Sequence, residues 1–348
     1  MDREVIVLNE ERNVTLTSYI QPVGGKFDNI SKRPAIIVIP GGAYQYCSDR
    51  EAEPVAFAYL KAGYNVFILR YSVGVHATWP NPLSDYEQAM ELIRSRADEW
   101  NIYKDKIAVI GFSAGGHLAA SAATMSKNRP NAAILGYAVT LEYLAKICEH
   151  TAPDLVSAVD KDTCPCFLFS TRTDRTVPIE NTTKFISALV EHNIAFESHI
   201  YSFGPHGFSI GDSSVLKQDV EISNRAKNWV SDSIEWLKEV FGDFGDGDLT
   251  KPKYRPRLVD DGEEYLSADC TIGYLMKNQD ARNILLPFMK NTMEAIEDIR
   301  KWEKVDKSII ESFVSKTTLR NLSGMAGVAD EIVEDLDKQL RQIKNQDL

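Results

Sequence analysis

The chain has 348 residues, 44% hydrophobic and 26% charged, which is enough apolar side chain for a large buried core and too much for a disordered polypeptide. Its 50 acidic residues against 39 basic ones give a formal charge of -11 with no basic run to interrupt it, which argues against a nucleic-acid partner. No apolar run approaches the roughly 18 residues of a membrane span, and the charged start MDREVIVLNEERN does not read as a secretory leader, so a cytoplasmic protein without membrane contact is expected.

EVIVLN (4–9) and VTLTSYI (14–20), separated by a short polar turn, read as an antiparallel pair. Apolar runs of buried-strand type follow: AIIVIP (35–40), NVFILRY (65–71), KIAVIGFS (106–113), AAILGYA (132–138), CFLFSTRTD (166–174) and AFESHIYS (195–202). Between them EAEPVAFAYLKAG, NPLSDYEQAMELIRSRADEW, VPIENTTKFISALVEHN and SNRAKNWVSDSIEWLKEVF carry helical periodicity. Strand alternating with helix predicts the α/β class, a mostly parallel sheet flanked by helices, with ligands bound outside the carboxyl ends of the strands. The stretch 141–163 breaks this rhythm and is read as a small cap over that edge.

The periodic part ends near residue 242. Residues 243–269, rich in Gly, Pro and charge, read as a linker, and 270–348 as a small helical domain. Its helical stretches are TIGYLMKNQDARNILLPFM, KSIIESFVSKTTLRNL and ADEIVEDLDKQLRQI. The last puts Ile332, Val333, Leu336, Leu340 and Ile343 on one face. Such a face needs burial, and a homo-oligomer formed through this tail is one way to provide it. Cys47, Cys148, Cys164, Cys166 and Cys270 are odd in number and lack metal-site or redox spacing, so reduced structural thiols and no metal are expected.

Gly111-Phe112-Ser113-Ala114-Gly115 matches the G-x-S-x-G nucleophile elbow in its required context, an apolar strand before and a small-residue helix after. An ordinary helix N-cap would explain Ser113 but not the glycines on both sides of it. A nucleophilic serine needs a base, an orienting acid and a site for the oxyanion. Asp174 closes the run CFLFSTRTD at the carboxyl edge of the sheet, and His206 lies in the glycine-flanked loop FGPHGFS, giving the order Ser, Asp, His. Asp160 and Asp162 compete for the acid role but fall in the cap, and His117 sits at a helix-packing position. Pro40-Gly41-Gly42-Ala43-Tyr44 follows a strand at the place of the HGGG-type loop that accompanies a G-x-S-x-G elbow in lipases and esterases, with proline in place of the histidine. The backbone N–H groups of Gly41, Gly42 and Ala114 are therefore the expected oxyanion donors. Tyr44, Tyr46 and Trp79, in loops at the same edge, are candidates to stack on a sugar or wall an acyl pocket, with core filling the alternative.

At GFSAGGH, PGGAY, TDRTVP and PHGF the chain resembles the α/β-hydrolase superfamily, and within it carbohydrate esterases of acetylxylan-esterase-like and feruloyl-esterase-like type, over residues 1–242. The resemblance implies a serine carboxylesterase that removes acyl groups, most of all acetyl, from plant cell-wall sugars such as xylo-oligosaccharides. It implies an acyl-enzyme, a small-molecule or oligosaccharide ester as partner, and no metal or organic cofactor. The tail resembles small accessory modules of gut and rumen bacterial carbohydrate-active enzymes, which brings no function with it. A feruloyl esterase, a peptidase or amidase using the same triad, and a non-catalytic binding protein of the same fold stay open.

Overall fold

The computed structural model describes residues 1–217, 219–245, 247–254, 259–297 and 305–345, the side chains of 290–297 excepted. It divides into two compact units, Met1–Tyr254 and Arg255–Leu348. The first is built on eight strands: β1 (Asp2–Asn9), β2 (Val14–Ile20), β3 (Arg33–Ile39), β4 (Asn65–Arg70), β5 (Ile102–Phe112), β6 (Ala132–Gly136), β7 (Cys166–Thr171) and β8 (Phe196–Tyr201). They form one sheet in the order β1-β2-β4-β3-β5-β6-β7-β8, antiparallel across β1, β2 and β4 and parallel from β4 to β8. Among the described residues this unit has the α-helices α1 (Glu53–Lys61), α2 (Asn81–Ser95), α3 (Ser113–Thr124), α4 (Glu142–Cys148), α5 (Glu180–Glu191) and α6 (Trp229–Phe241).

The period-two alternation of the central strands sorts their side chains onto two faces. Ile37 and Ile39 pack with α2, α3 and α5, while Ile36 and Val38 pack with α1 and α6. Burial on both faces is why β3 through β7 are near-continuous apolar runs. The outer strands carry their charge at the edges, Asp2, Arg3 and Glu4 on β1 and Glu197 and His199 on β8, which blunts them against pairing with another chain. Strand order reverses between β3 and β5, since the connection from β3 leads to β4 on one side while β5 leads toward β8 on the other. At such a switch point the loops after two adjacent strands diverge and leave a crevice. Here those loops begin at Pro40 and Ser113.

The stretch 141–163, read as a cap, carries one short helix, α4, and is fastened from below. Leu155 and Val159 join the core of the sheet unit, and Ala145 and Ala152 pack with Val139 and Val177.

The second unit contains α7 (Ile272–Leu275), α8 (Gln279–Glu297), α9 (Lys307–Lys316), α10 (Leu319–Met325) and α11 (Asp330–Leu340). The run 307–322, expected as one helix, is two, because Thr317 is extended and Thr318 starts a new helix by accepting the N–H of Asn321. Leu275, Leu285, Val314, Leu319, Leu322, Leu336 and Leu340 form its core. The expected apolar stripe is also corrected at its edge. Val333, Leu336 and Leu340 are buried within this unit, whereas Ile332 is 50% exposed, so the stripe finds its burial inside its own unit.

The segment read as a linker is mostly packed. Phe244 meets the Tyr64 ring at 5.6 Å, and the N–H of Lys253 donates to the Glu239 carbonyl at 2.7 Å, both within the first unit. Leu266 and Ala268 belong to the core of the second unit. Gly, Pro and charge mark irregular backbone, and irregular backbone packs when its apolar side chains have a surface to meet. Residues 255–258 lie outside the described residues.

Candidate active site

Ser113 stands where β5 ends and α3 begins, with φ of +53°, the left-handed region that a non-glycine residue enters only under constraint from its surroundings. A Cβ at Gly111 would run into the carbonyl of Gly115, and one at Gly115 into the carbonyls of Ile39 and Pro40. Only glycine permits β3, β5 and α3 to approach this closely around the serine. The Ser113 carbonyl accepts the N–H of Val139, which ties the turn to the loop after β6.

The loops after β7 and β8 bring the other two residues to this point. His206 Nε2 lies 2.9 Å from Ser113 Oγ, and Nδ1 lies 2.7 Å from Asp174 Oδ2. The second oxygen of Asp174 accepts the backbone N–H groups of Thr176 and Val177 at 2.8 and 2.9 Å, which fixes the carboxylate in its buried setting. A carboxylate only accepts, so Nδ1 is the donor to Asp174, and in a neutral imidazole that leaves Nε2 to accept from the serine hydroxyl. The two loops are stitched together where the Thr173 hydroxyl accepts the Gly204 N–H and the Thr171 hydroxyl donates to the Gly204 carbonyl. Asp160, the rival acid, is held instead by Arg129 at 2.6 Å, whose guanidinium pulls its carboxyl down to about 2.

The oxyanion expectation needs one correction. The Gly41 N–H does not face the serine; it donates to Glu51 Oε2 at 2.8 Å. Gly41 itself backs onto the elbow, where a Cβ would sit 2.7 Å from the Phe112 carbonyl oxygen and 3.0 Å from Ser113 Cβ. No backbone acceptor takes the N–H of Gly42 or Ala114 among the described residues. Ala114 lies in the first turn of α3, whose unpaired amides and positive dipole end suit an anion. Of the three expected oxyanion donors, Gly42 and Ala114 are thus the two whose N–H groups have no backbone acceptor among the described residues.

Of the three loop aromatics, Tyr44 is corrected to a core residue. It is 0% exposed, its hydroxyl pairs with His117 Nδ1 at 2.8 Å, and its ring is edge-on to Tyr71, Trp79 and His117. Positive φ at Ala43 and Tyr44 turns the side chain inward. Trp79 is half-buried against the same cluster, while Tyr46 is 61% exposed. A cleft of about 490 Å³ has His206 in its lining, together with Arg175, Thr176, Phe203, Pro205 and Glu221.

His117 is buried completely between two partners. Its Nε2 must donate to the Pro153 carbonyl at 2.9 Å, which leaves Nδ1 to accept from Tyr44. Burial pushes its pKa down from 6.5 to about 4. The unfolded chain therefore takes the proton first as pH falls, so this histidine's contribution is intact above pH 6.5 and is lost progressively toward pH 4. That loss amounts to roughly 3 kcal/mol at most. In urea unfolding, wild type should lose stability between pH 7 and 4.5 faster than His117→Gln, and the gap between them should narrow. A gap that is constant or widening on acidification would show that His117 titrates normally.

Sequence reasoning passed over Glu51, Tyr137 and Ser209. Glu51 reads as an acid in a helix's first turn, Tyr137 as the end of a buried strand, and no local signal marks their meeting.

Comparison with known proteins gives the following similarities. Residues 28–142 match the family model BD-FAE. The chain is 32% identical to endo-1,4-beta-xylanase B of Butyrivibrio fibrisolvens over 211 residues, 52% of this chain and 33% of that enzyme. It is 31% identical to an acetylxylan esterase of Xylanibacter ruminicola over 228 residues, 59% of this chain and 46% of that enzyme. The chain thus spans less than half the length of these curated relatives. Among solved structures, MGS-M1, an alpha/beta hydrolase enzyme from a Medee basin deep-sea metagenome library, shares 42% identity at a TM-score of 0.64. The match covers 69% of this chain and 98% of that one.

Proposed function

The chain belongs to the α/β-hydrolase family, and from that premise we propose that it is a serine carboxylesterase acting on acetylated sugars of the xylan type. The observation that carries the reading is a single imidazole held between Ser113 Oγ at 2.9 Å and Asp174 at 2.7 Å. In this reading His206 Nε2 takes the serine proton as Oγ attacks the ester carbonyl carbon. The tetrahedral oxyanion sits between the N–H groups of Gly42 and Ala114, and ionised Asp174 steadies the imidazolium. As the C–O bond breaks, His206 returns the proton to the leaving alcohol oxygen. Water then enters, loses a proton to the same nitrogen, and releases the acid from the acyl-enzyme.

Because the leaving alcohol receives its proton from His206, it departs on that residue's side of the site. His206 also borders a cleft lined by Arg175, Thr176 and Glu221 as well as by Phe203 and Pro205, a mixture that suits a hydroxyl-rich sugar better than a hydrocarbon. Similarity to an acetylxylan esterase and to part of a xylanase supports a xylan-derived alcohol and favours acetyl as the acyl group. Tyr46 and Trp79 remain the aromatic candidates for sugar contact. A cytoplasmic setting fits five cysteines that are all unpaired.

The test is release of acetate and ferulate from acetylated and feruloylated xylo-oligosaccharides. Acetate should be released at least about tenfold faster, the scale on which pocket fit discriminates acyl groups. Faster ferulate release would reassign the acyl group. Cleavage of anilides in preference to either ester would make the protein an amidase.

A further inference from the structure

We propose that Glu51 is a positioning residue for this site, its one carboxylate setting both the oxyanion loop and the loop that carries the catalytic histidine. The proposal rests on the reading of Ser113, Asp174 and His206 as an esterase triad.

Glu51 ends a turn of 3₁₀ helix (Asp49–Glu51) just ahead of α1 and is 4% exposed. One oxygen accepts the N–H of Gly41 at 2.8 Å; the other accepts the O–H of Tyr137 at 2.7 Å. The Tyr137 hydroxyl in turn accepts the N–H of Ser209 at 3.1 Å, three residues beyond His206. The Tyr137 ring also stands edge-on to the His206 ring, 5.0 Å between centroids. The Ser209 hydroxyl donates to the carbonyl of Arg50, which closes the circuit beside Glu51. Loops following β3, β6 and β8 therefore converge on one side chain.

The chemistry of a carboxylate explains why this arrangement has one solution. Both oxygens only accept, so the Gly41 N–H and the Tyr137 O–H must both point inward. With its amide committed, Gly41 cannot swing, and the next amide, Gly42, which has no backbone acceptor among the described residues, is the one offered to the oxyanion in this proposal. Among the described residues no lysine or arginine forms an ion pair with Glu51, although removing a carboxylate from water without a countercharge is costly. Burial accordingly pushes its pKa up, opposed by the bonds from Tyr137 and Gly41 and by the nearby His206 and Arg50. These groups, with the Tyr71 phenol, are the titratable and charged neighbours facing it. A neutral strut would hold the loops without that expense, but it would not place negative charge near the imidazole that must become an imidazolium.

The experiment measures wild type, Glu51→Ala, Glu51→Gln and Tyr137→Phe on a small aryl acetate, with phenylboronic acid as a probe that places an oxygen in the oxyanion site. Wild-type activity that disappears in Ser113→Ala secures the triad reading; a wild type without activity overturns that reading and this proposal together. Glu51→Ala should lower kcat about 10²-fold, the scale of a lost oxyanion donor. KM should stay within about threefold, and boronate affinity should fall in step with kcat. Glu51→Gln keeps the shape and one acceptor, so it should fold and lose roughly tenfold, about one hydrogen bond. It should also move the acidic limb of the kcat/KM profile to lower pH, because the negative charge that favours the imidazolium is gone. Tyr137→Phe keeps the Gly41 bond and should fall between wild type and Glu51→Ala. The proposal is overturned if Glu51→Gln leaves kcat, boronate affinity and the pH profile within twofold of wild type. It is equally overturned if folded Glu51→Ala raises KM alone.

Discussion

Ser113→Ala should lower turnover of a small aryl acetate by roughly 10⁶-fold, the loss seen when a serine triad, which works as a unit, is deprived of its nucleophile. The expectation follows from geometry. The Ser113 hydroxyl is 2.9 Å from His206 Nε2, the ring nitrogen left to accept in a neutral imidazole because Nδ1 donates to Asp174. An alanine leaves the imidazole and the proposed oxyanion donors in place but gives them no attacking oxygen. Residual hydrolysis should come only from water held by His206 and polarised by Gly42 and Ala114. Stability should change little, since alanine enters the left-handed region no more easily than serine and the hydroxyl bridges no packed elements. Thermal unfolding by circular dichroism, beside an active-site titration with a fluorophosphonate, separates chemistry from folding. A folded variant turning over within tenfold of wild type would remove the triad as the basis of activity.

The parts of the fold legible in the sequence are those where one interaction dominates. Strands β3 through β7 have central stretches buried on both faces, so residues 35–39, 66–69, 107–112, 132–136 and 166–169 include no charged side chain and need little context to be recognised. The elbow is legible for the opposite reason: the backbone path there tolerates so few side chains that its letters are prescribed. Asp174 and His206 could be found by order once Ser113 was fixed. What stayed hidden depends on partners distant in the chain. Glu51 lies 86 residues from Tyr137, and an acid at the front of a helix gives no sign that it will be buried. Glycines at 41 and 42 announce a tight loop, but nothing in them tells that the Gly41 amide is taken by Glu51. For Tyr44 the sequence left substrate contact and core filling both open, because nothing in PGGAY tells that Ala43 and Tyr44 both take positive φ.

Asp174→Asn is expected to lower kcat about 10⁴-fold while leaving the fold and KM nearly intact. The loop makes this outcome more than an analogy. Asp174 Oδ1 accepts two backbone N–H groups, from Thr176 and Val177, while Oδ2 accepts one from His206. An asparagine has one oxygen and one NH₂ to distribute between these two sides. Turning the NH₂ toward Thr176 and Val177 would oppose donor to donor twice and leave two amides unpaired, at about 1–3 kcal/mol each. Turning the oxygen there keeps both bonds, so the NH₂ must face His206. That face can be satisfied only if Nδ1 becomes the acceptor, which moves the imidazole proton to Nε2 and points it at Ser113 Oγ. The base is then already protonated where it should be empty, and the ring is held in that tautomer by the substitution itself. Asp160→Asn is the control, because Asp160 pairs with Arg129 and touches no member of the triad. Its kcat should remain within about threefold of wild type, the scale of an exposed ion pair. If Asp160→Asn costs more turnover than Asp174→Asn, the orienting acid lies in the stretch 141–163 and the assignment of Asp174 falls.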